Sequence, residues 1–479
     1  MADSILKLRE KLDSGKVTSE ELFNKSVKAA NESQKDYNPF VTIMNKYEKI
    51  DSDSKIAGIP YAIKDNISTK GILTTASSNI LKNYVPVYDA TIYKKLKEAG
   101  AILMGKTVLD ELALGGTGTT GHTGIVRNPW DIGRQIGGSS AGSAAAVALG
   151  IVPFAIGSDT GDSVRKPAAY GGIVGFKPTY GRISRFGLFA FASSLDHLGI
   201  FARNVRDVAI VTDVVKGKDA KDMTSLDDDN KEYASLIDSP VKGKKLFYIK
   251  EALENNDNDK ELQKVIDNFK EVIKKCESIG IEVCEESVSI DLLRAIYPTY
   301  RAISCAEATS NDANLTGIHF GVRGEGKTPT EIIMDARTKG FSELIKRRFV
   351  IGSYILQKEN QEKLYLNACR VRRLIVDKMN ELFKKYDGLI MPAAAGIAPK
   401  FEDTSDQLSN KYLILDNHLA IGNFGGFPSI TLPCGFIDKM PIGINITGRV
   451  CEDDIVLNMA NKLEEAMEYK NQVAGDKNV

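Results

Sequence analysis

The sequence predicts an α/β protein. Three observations carry this. Short apolar runs of strand length recur along the chain, segments with helical spacing separate them, and residues 244–284 read as a complete β-α-β unit. A chain of 479 residues suggests about three domains by length, although a large α/β enzyme can also build one continuous sheet of this size.

The elements follow in order. Ile5, Leu8 and Leu12 share one face of a helix over 4–12. Thr18 with Glu21 is a capping box opening a second helix over 19–30, which Asn38-Pro39 stops. Residues 40–44 and 58–66 read as strands, the second delivering Lys64 at its end. A lysine there is either a solvated charge or, in a dry pocket where desolvation and neighbouring positive charge lower its pKa, a neutral base. Residues 100–107 formally fit the phosphate-binding pattern G-x-x-x-x-G-K-[ST]. That pattern needs strand, glycine-rich loop and helix in turn. Here a helix over 90–99 precedes an apolar strand over 101–104, so Lys106 follows a strand and nucleotide binding is rejected.

The densest stretch is 134–166. A glycine and serine cluster at 137–143 leads into an alanine-rich buried helix over 144–149. A buried strand over 151–156 then ends in a second cluster at 157–163. Such clusters let backbone approach a ligand closely and aim several N–H groups at one point. Residues 166–181 mix aromatics with glycine and proline and read as a rigid, packed loop system, and 216–239 as an exposed polar connection. A strand over 244–249, a helix over 260–279 and a strand over 281–284 form the peripheral β-α-β unit. Helices then run from 292 to 382 with a break at 317–330. Strands at 388–392 and 429–433, a closing helix over 453–467 and a frayed tail after Asn471 complete the chain.

Composition excludes several functions. Lys plus Arg equals Asp plus Glu at 63 each, whereas a surface that grips nucleic acid usually shows a basic excess. Any RNA contact is therefore local or supplied by a partner. The six cysteines are scattered without a C-x-x-C pair, which with no signal peptide predicts reduced thiols in a soluble, cytoplasmic protein. No apolar run reaches the roughly 18 residues that span a bilayer. The four histidines (His122, His197, His319, His418) follow no metal-ligand spacing, so no metal site is expected. No G-x-S-x-G elbow appears, and a Ser-His-Asp hydrolase stays open only through non-adjacent partners. What remains is serine chemistry based on lysine.

Five blocks carry a resemblance: GIPYAIKDN (58–66), GAILMGKTVLDELALGGTG (100–118), NPWDIGRQIGGSSAGSAAAVALG (128–150), GSDTGDSVRKPAAYGGIVGFKPTYGRISRFGLFAFASSLDHLG (157–199) and MPIGINITGR (440–449). In this order they resemble the amidase-signature hydrolases, and within them the glutamine-hydrolysing subunits of tRNA-dependent amidotransferases. The resemblance covers essentially the whole chain. It implies the amidase-signature fold, a large mixed central sheet covered by helices on both faces, as one domain over 1–479. Within it would lie a helical N-terminal segment (1–50), a catalytic core (51–215), the peripheral β-α-β unit (240–290) and a helical region with the remaining core strands (291–470).

The resemblance also implies a nucleophile at Ser163, a bridging serine at Ser139 after a cis peptide bond, and a base at Lys64. Backbone N–H groups of Thr160, Gly161, Asp162 and Ser163 would form the oxyanion hole. Glutamine would meet Tyr300, with Arg348 (or adjacent Arg347) on its α-carboxylate and Asp416 on its α-ammonium. Two residues depart from the family pattern, Asp162 and Ala141, where glycine is usual. A carboxylate at 162 repels a developing oxyanion unless paired, with Arg165 the expected partner. The implied function is release of ammonia from glutamine to convert Glu-tRNA(Gln) to Gln-tRNA(Gln). The partners would be a B subunit holding ATP, Mg and tRNA and a small C subunit, with no cofactor in this chain. The alternatives are a free-standing amidase acting on small amides and a scaffold subunit impaired by Asp162.

Overall fold

Tyr61 and Ile63 leave their strand on one side and Ala62 on the other, and this period-two alternation repeats from strand to strand. The computed structural model, which describes residues 3–403 and 407–475, gathers these strands into one sheet. They are β1 (Phe40–Ile43), β2 (Pro60–Lys64), β3 (Ile102–Thr107), β4 (Phe154–Asp159), β5 (Val174–Lys177), β6 (His197–Ala202), β7 (Lys245–Ile249), β8 (Glu282–Glu286), β9 (Gly388–Pro392), β10 (Ser429–Ile437) and β11 (Met440–Gly448). Their order is β1-β3-β2-β4-β6-β5-β10-β11-β9-β7-β8. β2 runs parallel to both β3 and β4, and β7 to both β8 and β9, while the remaining pairs are antiparallel. The sheet is mixed, as predicted.

Alternation gives the sheet two apolar faces, and helices cover both. One face carries Tyr61, Ile63, Phe154, Ile156, Ile200, Ile430, Ile444 and Leu246 in a continuous core with the helices Val205–Val215 and Asp453–Met467. The other face is divided. Ala62 and Ala155 pack under the alanine-rich helix Ala141–Ala148, and Phe247, Leu389 and Met391 pack under the helices between residues 290 and 424. Alanine lets the helix lie close on the sheet, where every one of its residues is buried.

The capping box at Thr18 and Glu21 opens the second helix as expected, but that helix runs on to Tyr37, and Asn38 ends it in a left-handed conformation (φ 51°). Lys106 lies inside β3 rather than after it. The region 166–181 is not a loop system: Arg165–Gly171 is a helix and β5 follows it. Pro167 stands third in that helix, where no intrahelical acceptor awaits its missing N–H. The sequence reading gives no strand at β6 or β11, although Met440, Ile442, Ile444 and Ile446 alternate at strand period in β11. The connection 216–239 is exposed only in part: Lys218, Lys221, Met223 and Asp227 face solvent as expected, whereas Tyr233 is buried and Lys216 pairs with Asp228 and Asp229 at 2.9 and 2.7 Å. The expected frayed tail lies in part, from residue 476 onward, outside the described residues. Among the described residues no helix is long and apolar enough to cross a membrane.

Candidate active site

The adjacent parallel strands β2 and β4 end side by side, Ile63 being in register with Ile156. β2 therefore delivers Lys64 at its carboxyl end beside the loop that follows β4. Open α/β sheets place their ligand sites at such an edge. The third component comes from residues 138–140, at the start of the alanine-rich helix.

Lys64 is fully buried, and its Nζ lies 2.8 Å from Ser139 Oγ, 2.8 Å from Ser158 Oγ and 2.9 Å from Ser140 Oγ. Burial pushes its pKa down to about 7, against the opposing pull of Asp110, Asp159 and Asp196. The solvated-charge reading of Lys64 is thus excluded. The cause differs from the expected one, because desolvation alone lowers the value and the charged neighbours are carboxylates. Hydrogen-bond direction follows from the surroundings. Ser140 Oγ donates to the Ser158 carbonyl at 3.0 Å and Ser158 Oγ receives Asn66 Nδ2 at 3.1 Å. Ser140 Oγ can therefore accept from the amine. Once Nζ is neutral its lone pair can receive the Ser139 hydroxyl proton, which leaves the Ser139 lone pairs open on the other side.

The Gly138–Ser139 peptide is cis. Asp110, which the sequence did not single out, props this turn. Its carboxylate accepts from the N–H groups of Thr117, Gly118, Thr119 and Thr120 at 3.0 to 3.2 Å, and its own N–H donates to Ser139 O at 3.1 Å. A Cβ on Gly138 would stand 2.1 Å from Asp110 Oδ2, so only glycine fits there. Ser163 sits against the same turn, its carbonyl receiving the Ser140 N–H at 3.3 Å. Its hydroxyl makes no hydrogen bond among the described residues, so the Lys64–Ser139 link is formed and the Ser139–Ser163 link is open.

The backbone N–H groups of Thr160, Gly161, Asp162 and Ser163 likewise find no acceptor among the described residues. Four free donors in one turn are suited to receive an anion. The turn is fixed from beneath by Arg165, a fully buried guanidinium. It reaches Asp159 at 2.8 and 3.1 Å, Gly161 O at 2.9 Å, Asn423 Oδ1 at 2.6 Å and Leu419 O at 2.6 Å. Burial would raise the Asp159 carboxyl, yet Arg165 holds it well below the usual carboxylate range. Arg165 is therefore committed to Asp159 and is not the partner of Asp162. That partner is Lys166, whose Nζ stands 3.8 Å from Asp162 Oδ2 and 3.8 Å from Asp416 Oδ1.

The substrate-binding candidates divide. Tyr300, on the helix Ile296–Asn311, lays its ring against Gly161, where a Cβ would meet Cε2 and Cζ at 2.9 Å. Arg348, on the helix Glu343–Leu356, makes no hydrogen bond or ion pair among the described residues, and its Nε is buried without a partner. Arg347 is exposed and Arg348 is half-buried. Asp416 is joined to Asp162 through Lys166 and accepts from Ala395 N–H at 3.0 Å. It makes no ion pair with Arg348 among the described residues. No group of His, Cys, Asp and Glu suited to a metal occurs among the described residues, and the six cysteines are free.

A family model described as Amidase matches residues 21–457. The chain belongs to the Amidase family. Among its relatives, the A subunit of the glutamyl-tRNA(Gln) amidotransferase of Heliobacterium modesticaldum is 43% identical over 412 residues, covering 86% of this chain and 83% of that one. The protein of the same name from Lacticaseibacillus paracasei is 38% identical, with 99% of each chain covered. The crystal structure of its Thermotoga maritima counterpart superposes with a TM-score of 0.81 at 35% identity, covering 97% of this chain and 94% of that one. The native peptide amidase of Stenotrophomonas maltophilia shares the fold, with a TM-score of 0.82 at 23% identity and 98% and 97% coverage. Within this Amidase fold, Ser140, Ser158, Asn66, Asp110, Asp159 and Asn423 escaped the sequence reading, and Arg165 was expected on Asp162 rather than on Asp159. For Asp110 a signal existed in the Gly/Thr-rich loop that starts five residues later.

Proposed function

We propose that the chain is the glutamine-hydrolysing A subunit of a glutamyl-tRNA(Gln) amidotransferase, acting through a γ-glutamyl ester on Ser163. The observation that carries the chemistry is the buried Lys64 amine, 2.8 Å from Ser139 Oγ and with its pKa pushed down to about 7. A serine hydroxyl attacks an amide only if a base removes its proton during attack. Ser163 Oγ attacks the carboxamide carbon of glutamine and passes its proton to Ser139 Oγ, whose own proton moves to Lys64 Nζ. The carbonyl oxygen becomes an oxyanion held by the 160–163 N–H groups. Collapse breaks the C–N bond, and the relay returns a proton to the departing ammonia. Water then attacks the ester by the same steps in reverse, releasing glutamate.

The unpaired guanidinium of Arg348 supports a grip on the α-carboxylate, Asp416 one on the α-ammonium, and Tyr300 a wall along the substrate stem. The ammonia would pass to a B subunit that binds ATP, Mg and Glu-tRNA(Gln), with a small C subunit completing a cytoplasmic complex. The equal counts of acidic and basic residues fit that division of labour. The test is ammonia release by the purified chain from glutamine and from simple aliphatic amides, with and without B and C subunits. Preference for glutamine, raised by the partners, is expected. Equal use of simple amides would make the chain a free-standing amidase, and no release in any combination would make it a scaffold.

A further inference from the structure

Asp162 contributes one N–H to the row of donors at 160–163, so covalent geometry keeps its carboxylate close to the spot where negative charge develops. A like charge there opposes the oxyanion. Asp162 is about one quarter exposed, and Lys166 lies one helical turn further on. The Lys166 N–H donates to the Asp162 carbonyl at 2.8 Å, which closes that turn. Lys166 itself is nearly buried. Its Nζ stands 3.8 Å from each of the Asp162 and Asp416 carboxylates and donates to the Asp416 carbonyl.

We propose that Lys166 is a positioning residue with two separate duties: it holds and neutralises the Asp162 carboxylate so that the adjacent donors can receive an oxyanion, and it fixes Asp416 for substrate binding. The inference rests on the reading that the 160–163 row receives the oxyanion. The first duty acts in the transition state and belongs to kcat. The second acts in the ground state and belongs to KM. The charged groups that face Asp162 are Lys166, Asp159, Arg165 and Asp416. Of these Arg165 is spent on Asp159, which leaves Lys166 as the cation for Asp162.

The test is a double-mutant cycle on glutamine hydrolysis, with Lys166→Gln made in the wild-type and in an Asp162→Asn background. In the wild-type background Lys166→Gln is expected to lower kcat about tenfold or more. In the Asp162→Asn background, where no carboxylate needs holding, the same change is expected to cost less than about threefold. The rise in KM, which runs through Asp416, is expected to be alike in both. An equal kcat loss in both backgrounds overturns the inference. Lys166→Arg keeps a cation on a stem of similar length and provides the second comparison. It is expected to lose less kcat than Lys166→Gln, and an equal loss also overturns the inference. Failure of the wild-type chain to release ammonia at all sinks the functional reading itself and is thereby told apart.

Discussion

Lys64 works as a base only when uncharged, and its burial sets the pH at which that happens. With its pKa near 7, the protonated form dominates below that value. Because burial lowers a lysine's pKa, the active form is gained as pH rises. kcat/KM for glutamine should therefore climb about tenfold per pH unit below 7 and level off above it. A pH–rate profile checks this, and a plateau reached only near the ordinary lysine value of about 10.4 would mean the amine is solvated. At this scale the dense blocks and the resemblance they carry point to Lys64, Ser139 and Ser163, of which the structure joins Lys64 to Ser139. The sequence was silent on their supports for a physical reason. Arg165 meets Asn423 across 258 positions, and Asn423 stands in a stretch with no local pattern to mark it. Asp162 shows the limit from the other side. Its charge problem could be read in sequence, but the choice of Lys166 over Arg165 as its partner needed geometry, because both lie within one turn.

Among elements, the helix Arg165–Gly171 and the pair Ile296–Asn311 and Glu343–Leu356 frame the site. Removing the Arg165 cation by Arg165→Met strands a buried carboxylate at Asp159. It should cost about 3–5 kcal/mol of stability in urea denaturation, while the double change with Asp159→Asn should recover a good part. The two longer helices meet at Gly352, where a Cβ would stand 2.1 Å from both Cys305 O and Thr309 Oγ1. Gly352→Ala should push Arg348 away from Tyr300, raising KM for glutamine more than it lowers kcat, with about 1–3 kcal/mol lost to overpacking. Steady-state kinetics beside a melting curve separates the two effects. Elements with a strong period or a cap were legible, as the match of residues 453–467 to the helix Asp453–Met467 illustrates. β6 was not, since HLGIFA follows directly on a serine-rich turn with no break to announce a strand. Residues 216–239 are exposed only in part because Lys216 and Asp229 turn inward, a choice that composition cannot express.

For the molecule as a whole, charge balance and sheet order are the informative features. The sheet carries its candidate site where β2 and β4 end, in the half of the divided face that packs under the alanine-rich helix. A chain with equal acidic and basic counts should not by itself retain tRNA at about 150 mM salt, because affinity for nucleic acid comes largely from counterion release by lysine and arginine. A filter-binding or mobility-shift titration of the chain, alone and with the B subunit, checks this. Binding is expected only with the partner. The central claim, that the neutral amine of Lys64 activates Ser163 through Ser139, is tested most directly by quenching the enzyme during glutamine turnover and mapping the acyl group by peptide mass spectrometry. The account predicts a γ-glutamyl ester on Ser163 that disappears in Ser163→Ala and fails to accumulate in Lys64→Met. An acyl group on another residue, or undiminished turnover in either variant, would contradict it.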